Sequence, residues 1–280
     1  MLAAVRIAVC LLLGACGFSV PGGAPSDAQD APKPDVPVTI TWEVDAASKI
    51  GVPATAQQWR DVMTAAGLQP VAPTNLWLMQ EASGALADTV GTIPLVPINN
   101  VSYNNAVPGW TRRALGTIDA AGDQGFRSNG TGNLDGTSYA LLLYVSVPVI
   151  PSSPRSLAGV GFAADHRYAA VGAQMFSARG SVGSPGVGVA PPGSDVHPLL
   201  IEVNMSANPQ YAIYTDKEKI TAPYMAPQGL GNLVMIGAAG FGSADARYLY
   251  AAMWKGTSAQ FTDADAKALL MRLGWTVSGF

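Results

Sequence analysis

The apolar residues of this chain follow three rhythms. Two segments carry the helical one. Trp59, Val62, Met63 and Ala66 fall at i, i+3, i+4 and i+7 and predict an amphipathic helix from Thr55 to Ala66. Thr55 caps it with Gln58 as capping-box partner, and Gly67 stops it. A second helix is predicted from Thr262 to Leu273. Thr262 and Asp265 form another capping-box pair, Asp263 and Asp265 sit at its positive end, Lys267 and Arg272 lie toward its negative end, and Gly274 follows. Most other apolar residues alternate or run continuously between Gly, Pro and Asn turns, which predicts strands. These are VTITWEV (38–44), LWLMQE (76–81), LLIEVNM (199–205), YAIYTD (211–216), LVMIG (233–237) and YLYAAMW (248–254). YALLLYVSVPVI (139–150) is apolar on both faces, as an interior strand would be, and is too short to span a membrane. A hairpin tip is predicted near Lys217-Glu218, and residues 177–195 read as a long loop with no element of their own.

The third rhythm is a single unbroken run, IAVCLLL (7–13), preceded by Arg6. It is too short for a bilayer span and fits the removable core of an export signal. The residues that close it, Leu13-Gly14-Ala15-Cys16, resemble the lipobox of bacterial lipoproteins. That resemblance implies cleavage before Cys16 and lipid attachment to its sulfur, with two or three acyl chains holding the protein to a membrane. Residues 16–37, rich in Pro, Gly, Ala and Asp, read as a disordered tether. The expected organisation is a signal peptide over 1–15, the lipidated cysteine and tether over 16–37, a strand-and-helix extension over 38–74, and the main domain over 75–280.

Composition narrows the partners. Of 280 residues, 49% are hydrophobic and 12% charged, which is ample for a buried core. Removal of Arg6 leaves 15 basic against 19 acidic residues, with no basic cluster, so nucleic acid and anionic lipid surfaces are poor partners. The two cysteines, Cys10 and Cys16, both lie in the export segment; the mature chain has no disulfide framework.

The order of the strands resembles the concanavalin A-like and laminin-G-like jelly rolls. The resemblance starts with NLWLMQEASGALADTVGT (75–92), where Glu81, Ser83-Gly84, Asp88 and Gly91 match an apolar strand followed by an acidic residue and an Asp-x-x-Gly turn. It continues through RRALG (112–116), YALLLYVSV, YAIYTDKEKITAP and LVMIGAAG to the closing strand and helix of RYLYAAMWKGTSAQFTDADAKALLMRLG. It covers about residues 75–274 and implies a mainly β protein: a two-sheet antiparallel jelly-roll sandwich with a short N-terminal and a short C-terminal helix. The fold alone does not imply an activity, since it hosts lectins, glycanases and adhesion modules.

Chemistry is sparse. Glycanases of this fold carry E-x-D-x-x-E on one strand. Glu43 and Asp45 begin that pattern, but Ser48 stands where its third carboxylate belongs; Glu202 is followed by Asn204 and Ala207. Both glutamates read as outward-facing strand positions. His166 and His197 have no nucleophile elbow and no spaced metal ligands near them. The glycine-rich 180–193 lacks the G-K-[ST] of a phosphate loop. Asp88 reads as a turn residue, with too few companion oxygens for calcium. No catalytic residue, metal site or cofactor is therefore assigned. Among six tryptophans, Trp59, Trp77 and Trp254 read as core, while Trp110, after a Pro-Gly turn, is the most exposed candidate. Trp110 and Tyr103, near Asn99, Asn100 and Asn104, are the candidate ligand-binding residues. The sequence thus predicts an extracytoplasmic lipoprotein, tied to a membrane through Cys16, whose jelly roll binds glycan or a surface protein without catalysis. A polysaccharide hydrolase or lyase of the same fold, and a structural envelope component, are the alternatives.

Overall fold

The structure is a computed structural model. It describes residues 39–122, 124–129, 138–160, 167–172, 175–179, 186–187, 195–204, 210–223, 233–237 and 242–280. The elements in chain order are α1 (Ala56–Ala65), β1 (Asn75–Trp77), β2 (Leu95–Ile98), β3 (Ser102–Asn105), β4 (Ala114–Thr117), β5 (Gly125–Ser128), β6 (Tyr139–Val149) and β7 (Arg155–Val160). They continue with β8 (Arg167–Gly172), β9 (Met175–Arg179), β10 (Gly186–Val187), β11 (Val196–Asn204), β12 (Gln210–Tyr214), β13 (Lys219–Pro223), β14 (Val234–Ile236), β15 (Asp245–Lys255) and α2 (Asp263–Arg272). One sheet runs β13-β12-β11-β6-β15-β4-β3, with β1 also on β15; the other runs β10-β9-β8-β7-β14-β5-β2. The strand pairings are antiparallel. The molecule is the expected two-sheet antiparallel jelly-roll sandwich with a short helix toward each end, and residues 39–280 make one compact unit.

Two apolar layers explain the continuous apolar text of the long strands. The first lies between the sheets, where Leu141, Leu143 and Val145 of β6, Leu199 and Ile201 of β11 and Met253 of β15 meet Leu95, Phe126, Leu157 and Val234. The second lies on the opposite face of the first sheet, where Leu142, Tyr144, Leu200, Tyr250 and Trp254 meet Trp59, Val62 and Met63 of α1 and Leu269 and Leu270 of α2. A strand sandwiched in this way has no polar face to alternate. β15 serves both layers through a bulge: Tyr248 opposes Val145 and Tyr250 opposes Tyr144, leaving Leu249 unmatched. Tyr248 therefore enters the inner layer, while Leu249 and Tyr250 both face the helices.

The outer layer is tied down at its polar tips. The Tyr144 hydroxyl donates to Gly51 O at 2.8 Å, the Tyr250 hydroxyl to Pro53 O, and Trp254 Nε1 to Val71 O at 3.3 Å. Trp59 Nε1 donates to the Tyr250 hydroxyl at 2.8 Å and its ring stands edge-on to Trp254, with 4.9 Å between centroids. Aromatic residues that would otherwise offer a stacking platform on the sheet are thus covered by the chain's own segment 50–71.

The helix ends are as expected except at the start of α1, where the capping box with Gln58 does not form. Thr55 accepts from Gln58 N–H, but the Gln58 side chain accepts from Ala54 N–H, one residue before the reciprocal capping-box position. Thr262 and Asp265 form the full box. Each helix closes in a Schellman turn. Leu68 N–H reaches Met63 O with Gly67 at φ +76°, and Trp275 N–H reaches Leu270 O with Gly274 at φ +97°.

Several expectations need correction. The strand expected over 38–44 does not form in its described part, 39–44, where Val44 makes only an isolated bridge to Gly51. Its backbone folds back on itself instead: Val52 N–H meets Glu43 O, and Asp45 N–H meets Ile50 O. The strand expected over 76–81 ends at Trp77, because Met79 is left-handed, at φ +57°. The loop expected over 177–195 contains the end of β9 and all of β10; most of the remainder lies outside the described residues, as do His166 and the whole segment 1–38. Among the described residues, no helix is long and apolar enough to cross a membrane.

Candidate functional site

Glu202 shows how the outer layer changes the chemistry of a strand residue. Even-numbered positions of β11 face the helices, so Glu202 is 5% exposed, not outward-facing as its alternating strand suggested. Its Oε1 accepts from Phe261 N–H at 3.0 Å, and its Oε2 lies 3.4 Å from the Tyr214 hydroxyl of β12. That hydroxyl also lies 3.1 Å from Asp263 Oδ1, at the first position of α2. Lys219 of β13 pairs with the same Oδ1, and its ammonium sits 5.3 Å from the Tyr214 ring centre.

The two carboxyls have opposite electrostatic lots. Burial pushes Glu202 up to about 7, against the opposing effect of the Phe261 N–H and the Tyr214 hydroxyl. The bond from Lys219 holds Asp263 below the usual carboxylate range. Burial, reinforced by both carboxylates, raises the Tyr214 phenol. Protonated Glu202 can therefore donate to Tyr214 while Tyr214 donates to Asp263. A raised and a lowered carboxyl side by side is the arrangement that divides acid from base in glycosidases. Here, however, the Tyr214 hydroxyl bridges them, both Glu202 oxygens have partners within the protein, and Lys219 pairs with Oδ1 of Asp263, whose side chain is otherwise exposed. The cluster ties the start of α2 to the sheet. No sequence motif marks it, because Glu202, Tyr214 and Lys219 come from the consecutive strands β11 to β13 while Phe261 and Asp263 come from the distant approach to α2.

Beside this cluster a cleft of about 500 Å³ opens between the end of α1 and the approach to α2. Met63, Gly67, Leu68, Gln69 and Val71 line one side; Gln260, Phe261 and Asp265 line the other. Asp265 Oδ2 accepts from Thr262 N–H at 2.9 Å.

The residues singled out from the sequence do not converge. Trp110 is half-buried against Tyr144 and Trp275, both with centroids 6.1 Å away, so its ring packs on the outer layer where an exposed one was expected. Tyr103 packs on the inner layer, edge-on to Phe126, and donates to Gly84 O at 2.7 Å. The two candidate ligand-binding residues thus serve opposite faces of one sheet. Asn99 and Asn104 both adopt left-handed backbone, at φ +53° and +58°. Glu43 is exposed, whereas Asp45 is a buried hub. It accepts from the backbone N–H groups of Ala47, Ser48, Thr111 and Arg112. Its burial opposes ionisation, but these donors outweigh it and lower the carboxyl to about 2. Asp88 is the turn residue expected, accepting from the N–H groups of Leu76, Val90, Gly91 and Ile93. His197 lies within β11 with Nδ1 3.0 Å from Asp216 Oδ1. Among the described residues no group of three or more His, Cys, Asp or Glu could hold a metal ion.

No protein-family model and no curated protein matches the chain. Solved structures do. Trypanosoma rangeli sialidase superposes with a TM-score of 0.55 at 10% identity, over 78% of this chain and 37% of the sialidase. The receptor-binding domain of botulinum neurotoxin type G gives 0.51 at 6% identity, over 72% of this chain and 51% of that one. The binding domain of botulinum neurotoxin DC, solved in complex with rat synaptotagmin II, gives 0.50 at 14% identity, over 71% and 52%. The chain spans about a third of the sialidase's length and about half of the toxin domains. These likenesses establish the class: a β-sandwich of jelly-roll type. At such identities they establish the fold alone.

Proposed function

We propose that this protein is an extracytoplasmic lipoprotein, anchored in the bacterial envelope through lipid on Cys16, whose jelly roll binds glycan or protein ligands without catalysing a reaction. The observation that carries the non-catalytic half is the closure of the Glu202–Tyr214–Asp263 cluster. The carboxyl pair with the right electrostatic division has the Tyr214 phenol between its members, both Glu202 oxygens bonded within the protein, and Asp263 Oδ1 paired with Lys219. Catalysis on glycans needs the space between the carboxyls for the scissile bond, whereas binding asks only for a concave surface with a few polar groups. The toxin domains that share the fold are a receptor-binding domain and a binding domain in complex with synaptotagmin II, which supports a binding role. The lipid anchor rests on Leu13-Gly14-Ala15-Cys16 and the apolar run before it.

The same carboxyl pair supports a second reading, a glycan-acting enzyme whose cluster opens with substrate. A glycan array and a panel of envelope proteins, probed with the full chain and with Glu202→Gln, test the first reading. Saturable binding by both forms is expected. Binding by neither overturns it.

A further inference from the structure

Resting on that reading of the domain as a binding module, we infer that the cleft between the end of α1 and the approach to α2 is its ligand site, and that it takes an uncharged sugar of one or two rings. At about 500 Å³ the cleft lies within the roughly 300–1,000 Å³ that small-ligand sites occupy. Its lining has two characters. Met63, Leu68, Val71 and Phe261 supply an apolar surface of the kind that packs against the C–H face of a sugar ring. Gln69 and Gln260 are exposed on opposite sides, and each offers a carbonyl acceptor and two N–H donors. Neighbouring ring hydroxyls, each both donor and acceptor, match such amides.

Charge decides against other occupants. Among the described residues of the lining, Asp265 is the one ionisable group and there is no Lys or Arg. A uronic or sialic acid would bring its carboxylate into a negative cleft with no cation to receive it. An acyl chain would cover two amides and a carboxylate with nothing to bond them. A hard metal ion needs six or more oxygens, and the lining offers one carboxylate.

The walls are fixed before any ligand arrives. Glu202 Oε1 holds Phe261 N–H, the Thr262–Asp265 capping box sets the Asp265 side, and the Schellman turn at Gly67 sets Leu68. A preformed site loses less ordering entropy on binding. One side of the cleft comes from the end of α1, which lies on the outer face of the sheet.

The test titrates the full chain with lactose, maltose, cellobiose, diacetylchitobiose and sialyllactose, by calorimetry and saturation-transfer NMR. The variant is Gln69→Ala/Gln260→Ala, two exposed positions, with thermal unfolding measured to confirm an intact fold. At least one neutral disaccharide should bind, the double variant should weaken it at least about tenfold as two amide hydrogen bonds are lost, and sialyllactose should not compete. Unaltered binding by the variant, or preference for sialyllactose, overturns the inference while leaving a binding module in place. Capture of a protein ligand that the double variant abolishes overturns the sugar assignment but keeps the cleft as the site. No neutral sugar bound, with other ligands captured on the arrays, overturns the inference alone. Silence in every binding assay overturns the binding-module reading with it.

Discussion

Glu202→Gln separates the electrostatics of the outer layer from its packing. The carboxyl titrates at about 7 in the fold against 4.5 as a free group. Because the folded value is raised, the native state keeps its proton where the unfolded chain has lost it. Stability on this account is full below about pH 4.5, falls as pH rises toward 7, and levels off above. At about 1.36 kcal/mol per unit, the fall is on the order of 3 kcal/mol. Glutamine cannot ionise, yet its carbonyl can still accept from Phe261 N–H and its amide can donate to the Tyr214 oxygen. Wild type and variant should therefore unfold alike near pH 5. At pH 8 the variant should be the more stable by on the order of 3 kcal/mol, or about 6–12 °C in melting temperature for a domain of this size. Urea titrations of both proteins at pH 5, 6, 7 and 8 measure the difference, in which every other titrating group cancels. Parallel stability curves across that range, or a wild type more stable than the variant at pH 8, would refute the reasoning.

Asp45→Asn should cost about 1–3 kcal/mol at neutral pH, because the amide leaves backbone donors of Ala47, Ser48, Thr111 or Arg112 poorly matched. The lowered carboxyl stabilises above 3.8 and loses that effect as pH falls through about 2, so acid unfolding followed by circular dichroism should lose part of its steepness in the variant. Trp59→Ala removes a fully buried ring and its bond to Tyr250, and should lower stability by about 3–5 kcal/mol in denaturant titration. Cys16→Ser should leave the precursor uncut and shift it from the detergent phase to the aqueous phase; unchanged partitioning counts against the lipid anchor.

The long strands and both helices could be read from the sequence because their patterns answer to local rules. Trp59, Val62 and Met63 make a helical stripe wherever the helix packs, and Thr262 with Asp265 caps α2 without outside help. The short strands β2 to β5 could not. Their residues, such as SYNN in β3 and GFRS in β5, become strands through the partners on either side. The same difference applies to the site. Asp88 accepts from Val90, Gly91 and Ile93 in its own turn as well as from Leu76 of β1, and the local bonds make it legible as a turn residue, whereas Glu202 reads as an outward-facing strand position. Only the covering of its face by α2 and residues 260–263 buries it and raises its pKa. That covering joins residues about sixty positions apart, and no spacing rule announces it.

Product formation distinguishes a sandwich that binds from one that cleaves. The full chain, incubated with a panel of neutral and acidic polysaccharides from pH 5 to 8, should release no reducing ends above a protein-free control while retaining saturable binding to the arrays. Steady release that disappears in both Glu202→Gln and Asp263→Asn would show that the Glu202–Tyr214–Asp263 cluster opens to substrate, and would contradict the account.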